Sequence, residues 1–203
     1  MPVRKWRVVN VTALPPDGMS QKCNYIRIYE RKVIVKYMLL IDVQDSVVAP
    51  IHAEHTARRI CKCALAVKDR PGVFVAATRL AEADDAAPEL YGCLGGVVSS
   101  RPVRYGTATR FPTLIARIAS DGGKPEEIAI GGFLTSTSVL KAALAFRDLY
   151  PECKVTILED LCADRSAQEH DAAISVAESN GISVESSAMN LAIPKEETNA
   201  EQP

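Results

Sequence analysis

No run of the sequence is apolar over the ~20 residues that a membrane-spanning helix needs. The longest apolar runs, such as YMLLIDV at residues 37–43, stop well short, so no bilayer span is expected. Net charge is nearly absent too. The 24 Lys and Arg against 25 Asp and Glu leave a formal charge of −1, far from the positive field that a phosphate backbone demands. Nucleic acid is not an expected partner. The six cysteines, Cys23, Cys61, Cys63, Cys93, Cys153 and Cys162, contain no CxxC pair, which removes the zinc-ribbon and thioredoxin-type motifs. They are expected to be mostly reduced and buried, as suits a cytoplasmic protein. His52 and His55 are spaced to share a helix face, but no further histidine occurs before His170. They read as surface polarity rather than metal ligands, and no metal or other cofactor is expected.

What is present is a chain of 203 residues with 47% hydrophobic content, enough for one domain with a substantial core. Residues 1–36 hold eight Lys or Arg against two acidic residues and include PPDG. They lack the apolar stretch of a secretory signal. Residues 1–32 are expected to form a poorly packed basic extension, with organellar import, unconventional secretion or a misplaced start as alternatives. The domain is expected over 33–190, followed by a polar, disordered tail over 191–203 that includes PKEETNAEQP.

Inside the domain, short apolar runs alternate with helical periodicity. Strands are expected at 33–42, 73–78, near 96–104, 126–132, 153–160 and 182–186. Between them, 52–67 is helical, with Ala53, Ala57, Ile60, Ala64 and Val67 on one face. FPTLIARIAS and TSVLKAALAFRDLY give two further helices, the second with Val139, Ala143, Phe146 and Tyr150 aligned. A last helix begins at Ser166, whose spacing from Glu169 makes a capping box, and stops at Gly181. Its apolar face takes in Ala167, His170, Ile174 and Ala177, so His170 reads as a hydrogen-bonded packing residue rather than a catalytic base. This alternation implies an α/β fold, a three-layer αβα sandwich with a Rossmann-like, mostly parallel sheet of about six strands. Ligands in such folds bind outside the carboxyl ends of the strands.

That rule selects Asp42, the region over 79–110, and the run Thr135-Ser136-Thr137-Ser138. Asp42 ends an apolar strand in LLIDVQD. It is either a turn residue or a carboxyl whose partial desolvation raises its pKa and fits it for acid–base work. At the hydroxyl run, Ser136 or Thr137 suits a helix cap, whereas a residue just inside the helix faces free N–H groups that would suit a nucleophile or an oxyanion.

LLIDVQD, IAIGGFLTSTSVLKAAL and ILEDLCADRSAQEH, in this order, resemble the motifs of the isochorismatase-like hydrolases, also called the cysteine hydrolase superfamily, over about residues 37–187. The resemblance puts Asp42 at the catalytic acid, Gln44 beside it, Thr135 at the family threonine and Ser138 at the position of the nucleophilic cysteine. The family lysine of the third strand has no counterpart, because no lysine occurs from residue 69 through 123. Arg104 in PVRYGTATRF is the nearest match, with Arg101 or Arg110 possible if the loop shifts. Arginine grips carboxylates but does not pass protons at neutral pH. Gln44, Thr135, Leu134, Arg79 and Tyr105 are expected to line the substrate pocket, and a non-proline cis peptide is expected near Phe133 and Leu134.

These departures bear on chemistry. Nicotinamidase-type amide hydrolysis needs a thiolate and commonly a metal, and the Asp-x-His ligand motif of the family is absent. Cleavage of the enol-pyruvyl ether of isochorismate needs an acid and positioning groups only. The resemblance therefore implies a hydrolase of a small anionic substrate, connected to salicylate precursor metabolism and forming a homodimer or higher homo-oligomer. Asp42, Arg104 and Ser138 are its expected catalytic residues. A serine-variant amidase and a catalytically degenerate binding protein are the alternatives.

Overall fold

A computed structural model describes residues 36–81, 89–106 and 109–191. The expected extension over 1–32 and the tail from residue 192 lie outside these. Leu191, expected in the tail, is instead buried, and its carbonyl accepts a hydrogen bond from Arg70 Nη1 at 2.5 Å.

Among the described residues there are six strands, β1 (Lys36–Ile41), β2 (Val73–Leu80), β3 (Val103–Tyr105), β4 (Glu127–Phe133), β5 (Lys154–Ala163) and β6 (Ser183–Glu185). They form one sheet in the order β3-β2-β1-β4-β5-β6, and every pairing is parallel. β1 shows why. KYMLLI has apolar side chains at both phases of the pleat, so neither face tolerates water and both must be covered. Tyr37, Leu39 and Ile41 point into a core with Leu114, Ile118, Phe146 and Ile174. Met38 and Leu40 point into the other, with Ala57, Ile60 and Ala64.

The helices are α1 (Asp45–Val48), α2 (Glu54–Val67), α3 (Phe111–Gly122), α4 (Leu140–Leu149), α5 (Ala167–Ser179) and α6 (Ser187–Asn190). α3, α4 and α5 cover the first face and α2 the second, giving the three-layer sandwich. The expected apolar face of α2 is buried throughout, as are Val139, Ala143 and Phe146 of the helix after β4. Ser166 caps α5 by accepting the Glu169 N–H at 3.2 Å, and Gly181 follows it with φ 75°. The buried face of α5 is Ala173, Ile174 and Ala177 with half-buried His170, while Ala167 is exposed. The third strand is shorter than expected: residues 97–102, which follow a tight 3₁₀ turn at Gly92–Gly96, are irregular, and β3 starts only at Val103. No helix among the described residues is long and apolar enough to cross a membrane.

The strand order reverses direction between β1 and β4, and the crevice of such a sheet opens at the carboxyl ends of that pair. Asp42 leaves one end and Thr135 the other.

Candidate active site

Immediately before Asp42, β1 and β4 approach so closely that a Cβ on Gly132 would stand 2.1 Å from the Ile41 carbonyl oxygen. Gly132 also has φ 142°, which side-chain-bearing residues rarely adopt. Asp42 then turns out of the strand with φ 54°, a left-handed conformation that Asp accepts more readily than most residues. That conformation places its carboxyl among residues of three other segments.

The carboxyl is fully buried, and hydroxyls hold both oxygens. Thr78 from β2 donates to Oδ1 at 3.0 Å, and its oxygen also accepts the Asp42 N–H at 3.2 Å. Tyr105 from β3 donates to Oδ2 at 2.5 Å. Ser138 Oγ lies 3.4 Å from the Tyr105 phenol oxygen. Burial pushes the Asp42 pKa up, and the hydrogen bonds from Tyr105, Thr78 and Ser138 offset only part of that rise. Burial, with the charge of Asp42 adding to it, pushes the Tyr105 phenol well above its ordinary value, so it stays protonated.

The residue that β3 delivers here is Tyr105, not Arg104. Val103 and Tyr105 point into the core while Arg104 between them is exposed. The register pairs Thr78 with Val103, Arg79 with Arg104 and Leu80 with Tyr105, and parallel partners share a face. Arg79 and Arg104 therefore lie on the side of the sheet away from Thr78 and Tyr105. Arg79 lines a separate cavity of about 300 Å³ with Glu89, Leu90, Gly92, Gly95 and Pro102.

Gln44 is also committed elsewhere. Its amide donates to the Leu80 carbonyl at 3.1 Å and accepts the Leu80 N–H at 2.7 Å. It clamps the end of β2, so its polar atoms serve the scaffold.

The hydroxyl run after β4 differs from a simple cap. The turn is made by left-handed Leu134, with φ 57° and ψ 60°, and no peptide here is cis. The Leu134 carbonyl then receives the N–H groups of Thr137 at 3.0 Å, Ser138 at 2.8 Å and Val139 at 3.4 Å. Residues Thr135–Val139 make a wide, π-pitched turn, a distortion frequent at functional sites. Neither Ser136 nor Thr137 caps the helix. The Ser136 N–H instead donates at 2.5 Å to Asp164, a carboxylate at the end of β5. With these four N–H groups occupied, the turn presents none of them as an oxyanion hole. Thr135 is buried and bonded to His170 Nδ1 at 3.1 Å, which gives His170 the packing role expected of it.

The site is thus Asp42, Thr78, Tyr105 and Ser138, from four segments. Thr78 escaped sequence reading, although its position in the β2 run VFVAAT, facing the end of β1, was the available signal.

This architecture matches solved structures. The isochorismatase-like hydrolase from Alkaliphilus metalliredigens shares 14% identity at a TM-score of 0.59, with 78% of this chain and 98% of that one covered. The chain has the isochorismatase-like fold. The same fold relates it to the nicotinamidase PncA from Bacillus subtilis, at 18% identity and a TM-score of 0.58 over 73% and 98% of the two chains. The MAR1 ribonuclease from Caenorhabditis elegans aligns at 16% identity and a TM-score of 0.57 over 77% and 79%. No family model and no curated protein matches the sequence.

Proposed function

We propose that the protein is an isochorismatase-like hydrolase that cleaves a small anionic enol-pyruvyl ether, isochorismate being the best candidate, by acid catalysis at Asp42. The observation that carries this reading is a buried carboxyl with a hydroxyl donating to each oxygen and a raised pKa, with no salt bridge to it among the described residues. Such a group favours its protonated form and suits a general acid.

In the reaction, protonated Asp42 gives its proton to the vinyl methylene carbon, whose π electrons form the new C–H bond. Water adds to the resulting oxocarbenium ion and returns a proton to Asp42. The hemiketal then collapses to pyruvate and the ring alcohol. The hydroxyls of Tyr105 and Thr78 stabilise the carboxylate that exists only after proton transfer, so they favour the charged transition state over the ground state. Attack by Ser138 on an amide is disfavoured. Its neighbours are a phenol held protonated and the Asp42 carboxyl, whose raised pKa favours the protonated form, so neither is a ready base.

A second reading, a catalytically degenerate protein that binds a partner, is favoured by the sealing of the site. Asp42 is 0% exposed and Tyr105 and Ser138 are each 7% exposed, so a substrate must part these hydroxyls to reach the acid. Pyruvate release from isochorismate, coupled to lactate dehydrogenase, separates the readings. Turnover by wild type and its loss in Asp42→Asn support the hydrolase. Equal rates in the two proteins would remove Asp42 from the mechanism, and no turnover of any acid or amide would favour the binding protein.

A further inference from the structure

On the opposite face of the sheet from Tyr105, α2 packs against the tight turn at Gly92–Gly96. Cys61 projects from α2 toward that turn, half-buried. Its Sγ lies 3.8 Å from the Tyr91 carbonyl and 3.6 Å from where a Cβ on Gly92 would stand. Cys93 follows Gly92 directly and is exposed to solvent. Two cysteines distant in sequence therefore meet at one turn, one sheltered and one open.

We propose that Cys61 and Cys93 form a redox-modification site, a dithiol that a peroxide converts to a reversible disulfide. The exposed Cys93 thiolate attacks the peroxide, the O–O bond breaks, and hydroxide leaves as water, giving a sulfenic acid. The Cys61 sulfur then attacks the Cys93 sulfur. The S–S bond forms as the S–O bond breaks, and the hydroxide leaves as water with the Cys61 proton. Two thiols lose two electrons to one peroxide, and an external thiol reverses the change.

Burial, with the adjacent Cys93 thiol adding to it, pushes Cys61 up to about 11. Protonated and sheltered, Cys61 leaves the first attack on a peroxide to the exposed Cys93. The other described cysteines are placed differently. Cys153 and Cys162 are buried, and the Cys63 thiol meets Ser187 Oγ at 3.8 Å. The cross-link also reaches the active site. Tyr91 N–H donates to the Val43 carbonyl at 2.9 Å and Leu90 bridges Gln44, so the bond ties α2 to the chain just beyond Asp42.

The test treats the reduced full-length protein with a small excess of hydrogen peroxide, followed by alkylation and non-reducing peptide mapping. The expected result is a mass lower by about 2 Da, the loss of two hydrogens, with Cys61 and Cys93 peptides joined and released by dithiothreitol. In parallel, phenylarsine oxide, which bridges adjacent thiols, binds the reduced wild type and not Cys61→Ser or Cys93→Ser. Oxidation of Cys93 to a sulfinic acid with no cross-link, or a cross-link joining other cysteines, overturns the proposal. The wild-type measurements decide this even if a variant misfolds.

Discussion

The phenol of Tyr105 donates to Oδ2 of Asp42 at 2.5 Å, joining the short edge strand β3 to the end of the central strand β1. This bond favours the carboxylate against the burial that disfavours it. In the proposed mechanism it therefore helps to set the pH range over which Asp42 is protonated.

Tyr105→Phe removes that donor, so the pKa of Asp42 rises further. Activity that requires protonated Asp42 falls as pH rises, and the falling limb moves to higher pH in the variant. The rate constant drops by about tenfold or more, since the carboxylate left by proton transfer is less well stabilised. Arg104→Ala, on the other face, leaves the limb in place. Pyruvate-release profiles across pH for the three proteins measure this.

Asp42→Asn trades activity for stability. The folded-state pKa of Asp42 lies above its unfolded value, so the folded protein binds the proton more tightly. Stability accordingly falls as pH rises from the unfolded carboxylate value of about 3.9 through the folded one, and the burial penalty is complete above that window. Asn carries no such penalty and tolerates the left-handed backbone. At pH 7 the variant gains stability, on the order of the 0.5–2 kcal/mol that single stabilising substitutions commonly give, and the gain shrinks toward acidic pH. Urea titrations at several pH values follow it.

Ser138→Ala keeps ether cleavage within about tenfold of wild type, because the hydroxyl neighbours the acid rather than attacking substrate. Ser138→Cys does not create amidase activity, since the N–H groups of the turn remain bonded to Leu134 and Asp164. Steady-state assays on the ether and on an amide panel check both. Loss of all turnover in Ser138→Ala would restore the nucleophilic mechanism.

Gly132→Ala forces a methyl group against the Ile41 carbonyl at a backbone angle hostile to side chains. Strand separation or strain costs upward of ~4 kcal/mol, the range reserved for severe lesions. Soluble yield and the denaturation midpoint should both collapse, whereas Gly95→Ala, with open space around its Cβ position, leaves them nearly unchanged.

Much of this was legible along the chain. The doubly apolar phase of KYMLLI dictated a strand covered on both sides, and Ser166, Glu169 and Gly181 marked the bounds of α5. Asp42 and Ser138 could be selected because a strand end and a helix start are local features. The cap of the hydroxyl turn could not be read the same way, because Asp164, which takes the Ser136 N–H, arrives from β5. Local spacing was equally silent about Cys61 and Cys93.

The sequence by itself determined the alternation of strands and helices, the buried central strands and the place of Asp42 at a strand end, since each rests on a pattern within a few residues. Only the tertiary structure decided which residue of Val103-Arg104-Tyr105 meets Asp42. A three-residue strand has too little alternation of its own to declare a face. Its phase is fixed by the pairing of Thr78 with Val103 and Leu80 with Tyr105 across the sheet, and a shift of one residue would have presented an arginine in place of a phenol.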